Sequence, residues 1–261
     1  MDMTDTPALI AESGGEGVLL LRLNRPEKRN ALATPLLREL ERSLAEAATD
    51  DAIRCVVVTG SDKIFAAGAD LNEIAAKDVA GALADPRPGI WSGIRLFPKP
   101  LLAAVEGWCL GAGNELLMCC DLAIAGAGAR FGQPETNLGI MPGAGGTATL
   151  PRLVGRSAAM KMVLLGEPID ASTALALGLV AEVVDQGEAV ARALALALMI
   201  ARRAPIAMRQ AKAMVHAAFD LPHQAHLAAE RQSFAALFGS ADKAEGIAAF
   251  FEKREPVWTG R

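Results

Sequence analysis

Histidine is scarce in this chain: His216, His223 and His226 are the only three in 261 residues. His223 and His226 are three apart on an expected helix start, a spacing compatible with a metal. Neither has a third ligand nearby, so the plain reading is ordinary solvated or core histidines and no metal site. The chain has no Gly-x-Ser-x-Gly elbow, and no histidine stands close to its glycine-rich turns, so a Ser–His–Asp hydrolase lacks support. The four cysteines, Cys55, Cys109, Cys119 and Cys120, sit in apolar segments without C-x-x-C spacing. They read as reduced core residues of a cytoplasmic protein. There is no excess of positive charge: 26 Lys and Arg stand against 30 Asp and Glu, a net −4. That argues against nucleic acid as a partner, while leaving room for a local basic patch on a phosphorylated small molecule. Long apolar runs are missing too. Residues 193–201, bracketed by Arg192, Arg202 and Arg203, are too few to span a bilayer, so no membrane role is expected. The start, Met1 to Pro7, is acidic and polar with no apolar h-region, and no secretory signal is expected.

What is present is a large apolar fraction, 52%, with 21% charged residues, enough for one large domain or two smaller ones. Val18–Leu23, Cys55–Thr59 and Leu101–Val105 read as buried strands, being short, apolar and bounded by breakers. Thr34-Pro35 opens a helix, with Thr34 as cap and Leu36, Leu37, Leu40 and Leu44 on one face. Phe65-Ala-Ala-Gly-Ala-Asp70 is a small-residue turn into a short helix, 71–76. Residues 77–92, with Pro86, Pro88 and Gly89, read as irregular. Segments 157–166, 171–177, 188–203, 206–219 and 223–238 show helical periodicity, and only 179–184 among them looks like a strand. The pattern implies an α/β body followed by a helical C-terminal region.

The centre of the sequence is Cys109-Leu-Gly-Ala-Gly-Asn-Glu115, with Phe131-Gly-Gln-Pro-Glu135 beyond it. An apolar strand leads into it and an apolar helix, 115–122, leads out. Gly111 and Gly113 allow close backbone approach. The first N–H groups of a helix have no internal partner and carry the positive end of its dipole, so such a turn stabilises negative charge. Glu115, among Leu116, Leu117 and Met118, reads either as a simple dipole partner or as half of a buried carboxylate pair with Glu135. Burying such a pair is costly without a functional return. Gly143-Ala-Gly145-Gly146 lacks the Lys-[Ser/Thr] of a P-loop and reads as a tight turn beneath a site.

Four stretches together resemble one family. Phe65-Ala-Ala-Gly-Ala-Asp70, Leu110-Gly-Ala-Gly-Asn-Glu115, Phe131-Gly-Gln-Pro-Glu135 and Leu138-Gly-Ile-Met-Pro-Gly-Ala-Gly-Gly146 are similar in order and spacing to the enoyl-CoA hydratase/isomerase (crotonase) family. The Asn24-Arg-Pro opening and Ala176-Leu-Gly-Leu-Val180 fit as well, and the likeness covers 15–261. The 66–72 region, the Arg87-Pro88 loop and the closing Lys253-Arg254 and Gly260-Arg261 are most similar to its 2,3-dehydroadipyl-CoA hydratase branch in phenylacetate catabolism.

The resemblance implies a spiral of ββα units. A tail (1–14) precedes the spiral core (15–200), and a helical region (201–261) builds trimers, usually paired into hexamers, and covers CoA. It implies an oxyanion hole from the peptide N–H groups of Ala69 and Ala112. Glu115 activates a water, and Glu135 exchanges a proton at Cα. Ala67, Ala69, Asp70, Leu71 and Asn72 lie along the CoA moiety, Arg29 and Ala31 flank its phosphates, and Lys253 reaches a neighbouring subunit's ligand. No cofactor is implied, because coenzyme A belongs to the substrate. Ala112 stands where the family commonly has Gly, and the hole survives that change if φ there is negative. Two carboxylates favour hydration of a trans-2-enoyl-CoA. A Δ3,Δ2-enoyl-CoA isomerase, which needs one, and a non-catalytic acyl-CoA-binding subunit are the alternatives. Residues of 77–97 are expected to line the acyl end of the pocket.

Overall fold

The computed structural model describes residues 7–261. It begins with strand β1 (Leu9–Ser13), inside the stretch expected as a tail. β1 pairs antiparallel with β2 (Val18–Leu23), Leu9 opposite Leu23. Helix α1 (Thr34–Thr49) follows. Its cap is not the Thr34 side chain. Thr34 is the first helical residue, and the Glu73 carboxylate accepts from its N–H at 3.0 Å and its hydroxyl at 2.6 Å. A distant acid therefore satisfies the donors that a local cap was expected to satisfy.

Three ββα units then follow, each placing one strand in each of two sheets. The first is β3 (Cys55–Thr59), β4 (Ile64–Ala66) and α2 (Leu71–Ala75). Two helices, α3 (Val79–Leu83) and α4 (Arg87–Arg95), occupy the stretch read as irregular. Pro88 sits in the first turn of α4, where proline has no N–H to waste and a suitable φ. The second unit is β5 (Leu101–Val105), β6 (Trp108–Leu110) and α5 (Ala112–Leu117). The expected helix 115–122 is thus shifted, and its end is already β7 (Leu122–Gly126). A short alanine-rich apolar run does not distinguish strand from helix by period. The third unit is β7, β8 (Arg130–Gly132) and α6 (Gly146–Leu165), broken at Gly155 (φ 77°, ψ 158°). The chain continues through β9 (Ile169–Asp170), α7 (Ala171–Ala176) and β10 (Glu182–Val184). It ends with α8 (Ala189–Ala201), α9 (Pro205–Ala217), α10 (His223–Ala236) and α11 (Ala241–Glu252), the last not anticipated from the sequence.

One sheet runs β1-β2-β3-β5-β7-β10, parallel after β1, and the other β4-β6-β8-β9. Every residue of β3 and β5 is buried, as expected of parallel strands covered on both faces. On one face α8 presents Ala189, Ala193, Ala197 and Ala201 at i, i+4 spacing to Val57, Leu102 and Ile124. On the other, Val56, Val58, Leu101 and Ala103 join the main core with Leu36, Leu40, Phe65, Cys109 and Phe131. The fold is the α/β spiral of ββα units with a helical C-terminal region. No helix among the described residues is long and apolar enough to cross a membrane.

Candidate active site

β4 and β6 are parallel neighbours, with Ala66 opposite Cys109, so their C-terminal ends open side by side. Each end turns through a glycine with positive φ, Gly68 (120°) and Gly111 (53°), and each glycine is followed by an alanine. The turns are tied in place by their neighbours. Ala67 N–H donates to Arg29 O (3.1 Å), Leu32 N–H to Gly68 O (2.8 Å), and Gly111 N–H to Gly132 O (2.9 Å). The N–H groups of Ala69 and Ala112 have no acceptor among the described residues. Ala112 is the first residue of α5 and is not among the residues with positive φ, so its methyl is tolerated. Gly113 lets α5 lie against β4, since a Cβ there would run into the Ala66 carbonyl. That contact sets the two turns facing each other.

Both glutamates reach the same space. Glu115, only 4% exposed, projects from α5. Its Oε1 accepts from Ala144 N–H (2.8 Å) and Gly146 N–H (2.7 Å), the glycine-rich turn that opens α6. Burial raises its pKa, while those two amides and the charge of Arg95 oppose the rise. Arg95 also donates to Ala144 O (2.7 Å), fixing the turn that holds Glu115. Glu135 opens a 3-10 turn, Glu135–Leu138, just after β8. Burial pushes its pKa up to about 7, with the Glu115 charge adding to the rise and a backbone hydrogen bond opposing it. The Gln133 amide, oriented from its hydrogen-bond neighbours, donates to both Glu135 oxygens (3.0 and 3.1 Å).

These groups line one cavity of about 340 Å³, within the range of small-molecule sites. Ala67, Ala69, Leu71, Ala112, Glu115 and Glu135 are all on its wall. Ala82, Asp85, Arg87, Pro88 and Trp91, from the segment expected at the acyl end, line it as well. Other expected site residues stand off it. Asp70 caps α2 through Asn72 N–H (3.2 Å) and pairs with Arg25 (3.4 Å). Ala31 meets Arg25 through its carbonyl (2.7 Å), and Arg29 adopts a left-handed conformation beside Ala67. Lys253 terminates α11 and does not line this cavity. His216 pairs with Asp121, and His226 contacts Met214 O, both outside the cavity lining. Gln133, Arg95 and the Ala144 and Gly146 amides were not singled out from sequence as partners of the glutamates. Gln133 lies inside a recognised motif, and Ala144 and Gly146 inside another that was read as a tight turn beneath a site; Arg95 carried no such signal.

Two amides without acceptors converge with a buried acid, Glu115, and a half-buried one, Glu135, on one largely apolar cavity, and the sheet spiral that places them defines a class of fold and site. Comparison with known proteins gives it a family. The family model for enoyl-CoA hydratase/isomerase matches residues 13–261, and the chain belongs to that family. It is 51% identical over 244 residues to a 2,3-dehydroadipyl-CoA hydratase of Escherichia coli K12, covering 94% of this chain and 96% of the relative. It is 40% identical to a mitochondrial enoyl-CoA hydratase of Pongo abelii, covering 95% and 86%. The crystal structure of an enoyl-CoA hydratase from Bacillus anthracis superposes with a TM-score of 0.93 at 34% identity, covering 98% of this chain and all of that one.

Proposed function

We propose that the chain is an enoyl-CoA hydratase, adding water reversibly and syn across the 2,3 double bond of a trans-2-enoyl-CoA. The observation that carries this is the convergence of two acceptor-free amides with two acids on one cavity. The thioester oxygen lies between Ala69 N–H and Ala112 N–H. Charge develops on that oxygen as the β-carbon is attacked, and each preorganised donor contributes on the order of 10²–10³ in rate. Polarising the carbonyl makes Cβ electrophilic and gives an enolate-like species that accepts a proton at Cα. Glu115, fixed by Ala144 and Gly146, takes a proton from the attacking water. Glu135 delivers its own proton to Cα, and its raised pKa keeps that proton available near neutral pH. Each acid–base step contributes about 10²–10⁴. The active pair holds one proton in total, and the reverse reaction uses the same pair with the proton starting on Glu115.

The same reading assigns the CoA moiety to Ala67, Asp70, Leu71 and Asn72, with Arg29 and Ala31 beside its phosphates. It divides the chain into a spiral core, 15–200, and a C-terminal region, 201–261, that assembles a homotrimer or a hexamer of paired trimers. Lys253 then reaches a neighbour's ligand. Support for assembly comes from α9 and α10, which bury no residue within the chain, and from exposed Phe234, Phe238, Phe250 and Phe251. The enzyme works in the cytoplasm, with no cofactor beyond the CoA of its substrate, in fatty-acid or phenylacetate-type catabolism. 2,3-Dehydroadipyl-CoA is a candidate substrate, given the 51% identical relative of that name.

The test is the ultraviolet absorbance of crotonyl-CoA, which should fall rapidly with the native chain. Glu115→Gln and Glu135→Gln should each slow it by orders of magnitude. Native turnover in either variant would remove the role given to that glutamate. An isomerase would instead convert 3-enoyl-CoA at full rate in Glu115→Gln.

A further inference from the structure

The lining of the cavity includes part of an ionic cluster that hydration does not use. Asp85 and Arg87 both line the cavity and are largely enclosed, with side chains 8% and 16% exposed. Arg87 donates through Nε (2.8 Å) and Nη2 to Asp85 Oδ2, and its own N–H reaches Asp85 Oδ1 (2.9 Å). Lys77 pairs with the same Oδ2. Two cations thus share one carboxylate, and the cluster has a net charge of +1. The guanidinium is fixed in orientation by Asp85, while Arg87 Nη1 has no acceptor among the described residues. The same cavity is lined by apolar Leu37, Ile74, Ala82, Pro88 and Trp91.

An apolar pocket built only for a hydrocarbon tail gains nothing from a guanidinium. Enclosing a cation is costly unless a partner is present, and Asp85 alone is outnumbered. Guanidinium geometry matches a carboxylate through parallel N–H donors. The helix that carries Arg87 is anchored by Ile90, Trp91 and Ile94 in the core, so the group is placed rather than free to leave. The CoA nucleotide, with its several phosphates, belongs to the solvent side of such a site. Asp85 and Arg87 share the cavity lining with Ala69, Ala112, Glu115 and Glu135, so a chain held at those groups has the enclosed cluster within the same cavity.

Resting on the hydratase reading, we propose that Arg87, oriented by Asp85 and supported by Lys77, binds a carboxylate at the ω end of the acyl chain. The preferred substrates are then trans-2-enoyl-CoA thioesters of dicarboxylic acids. Arg87 is the specificity residue and Asp85 its positioning residue.

The comparison that isolates this is trans-2-hexenoyl-CoA against 2,3-dehydroadipyl-CoA, equal in carbon count and differing in methyl versus carboxylate. The native enzyme should favour the dicarboxylic substrate in kcat/KM. Arg87→Met should lower the ratio of the two kcat/KM values by about 10²-fold, mainly through KM. Arg87→Lys should keep part of the preference, because the charge remains and the fork is lost. Adipyl-CoA and hexanoyl-CoA, saturated and unreactive, give the same ratio by calorimetric binding. That ratio tests the carboxylate site even if no enoyl chain is turned over, an outcome that would remove the hydratase reading alone. Three results would overturn the proposal: a native enzyme with no preference for the carboxylate, an Arg87→Met ratio within about threefold of native, or an equal loss on both ligands. Equal loss is what a phosphate-binding or purely structural Arg87 would give. Circular dichroism of each variant confirms that the fold compared is the same.

Discussion

The turns at 67–70 and 111–112 are built alike and used differently. Each follows a strand of the four-stranded sheet, turns on a positive-φ glycine and presents an alanine N–H without an acceptor. The first then leads into α2, a short helix with no buried residue, capped by its own Asp70. The second leads into α5, in which every residue is buried, and which has no side-chain cap. The difference lies in the surroundings. α2 lies at the surface, so a local side chain suffices to satisfy its first amides. α5 is enclosed, and its acid is satisfied from a remote turn at Ala144 and Gly146. A repeated backbone device thus yields one amide at the rim and one amide beside a buried acid.

The largest test of this likeness is to delete each donor. Ala112→Pro and Ala69→Pro should each lower kcat on the order of 10²–10³, more than they weaken CoA binding. Ala112 is at the first helical position, which tolerates proline, so circular dichroism should be near native there. If one of the two keeps native kcat, only one turn serves the thioester oxygen.

The glycines distinguish the turns next. Gly68→Ala and Gly111→Ala both force a side chain into a left-handed conformation and should each cost about 1–3 kcal/mol in denaturant unfolding. A Cβ at Gly111 would also lie 3.0 Å from Glu135 Oε1, whereas at Gly68 the nearest atom is Leu110 O at 3.6 Å. Gly111→Ala should therefore lower kcat as well, and equal kcat in the two variants would show that Glu135 is not held against this turn.

The acids give a pH signature. Glu135 has a folded pKa of about 7, above its ordinary value. Its proton is lost as pH rises through 7, so kcat/KM for hydration should fall about tenfold per pH unit above that point. The folded state loses stability as pH rises from the ordinary value of 4.5 to about 7, because over that window the unfolded chain has released the proton and the folded one still holds it, and the loss is complete above 7. Glu135→Gln should accordingly melt higher than native at pH 8, and an unchanged or lower melting temperature would contradict the burial of this acid. In Glu115→Gln the neighbouring charge is gone, and the Glu135 titration, followed by carboxyl NMR, should move down. The smallest effect is expected at the exposed helix: Asp70→Ala removes the cap of α2 and should cost about 0.5–2 kcal/mol of stability by chemical denaturation.

Much of this site was legible in the chain because its parts are local. Glycine between small residues marks a turn wherever it occurs. Three of the central strands announce themselves as short apolar runs bounded by breakers, and Glu115 and Glu135 lie within such landmarks. Other parts are non-local. β6 and β8 have three residues each and exist as strands because their neighbours pair with them. α4 lies in a proline-containing stretch whose apolar face counts only once the core is there to receive it. Thr34, expected to cap α1 itself, takes its partner from Glu73, 39 residues away. The segment 77–97 was expected along the pocket with none of its residues assigned, because the pairing of Lys77 and Arg87 on Asp85, and which of them face the cavity, exist only in the folded chain.

By itself the sequence determined the two glycine–alanine turns, the apolar strands that carry them and the presence of two acids, since backbone freedom and burial preference belong to residues. Tertiary structure decided which amides stay without acceptors, which turn grips Glu115, how far Glu135 is pushed towards neutrality, and that a guanidinium faces the same cavity. Those are properties of desolvation and of distances between segments far apart in the chain, and they arise when the sheets bring the segments together.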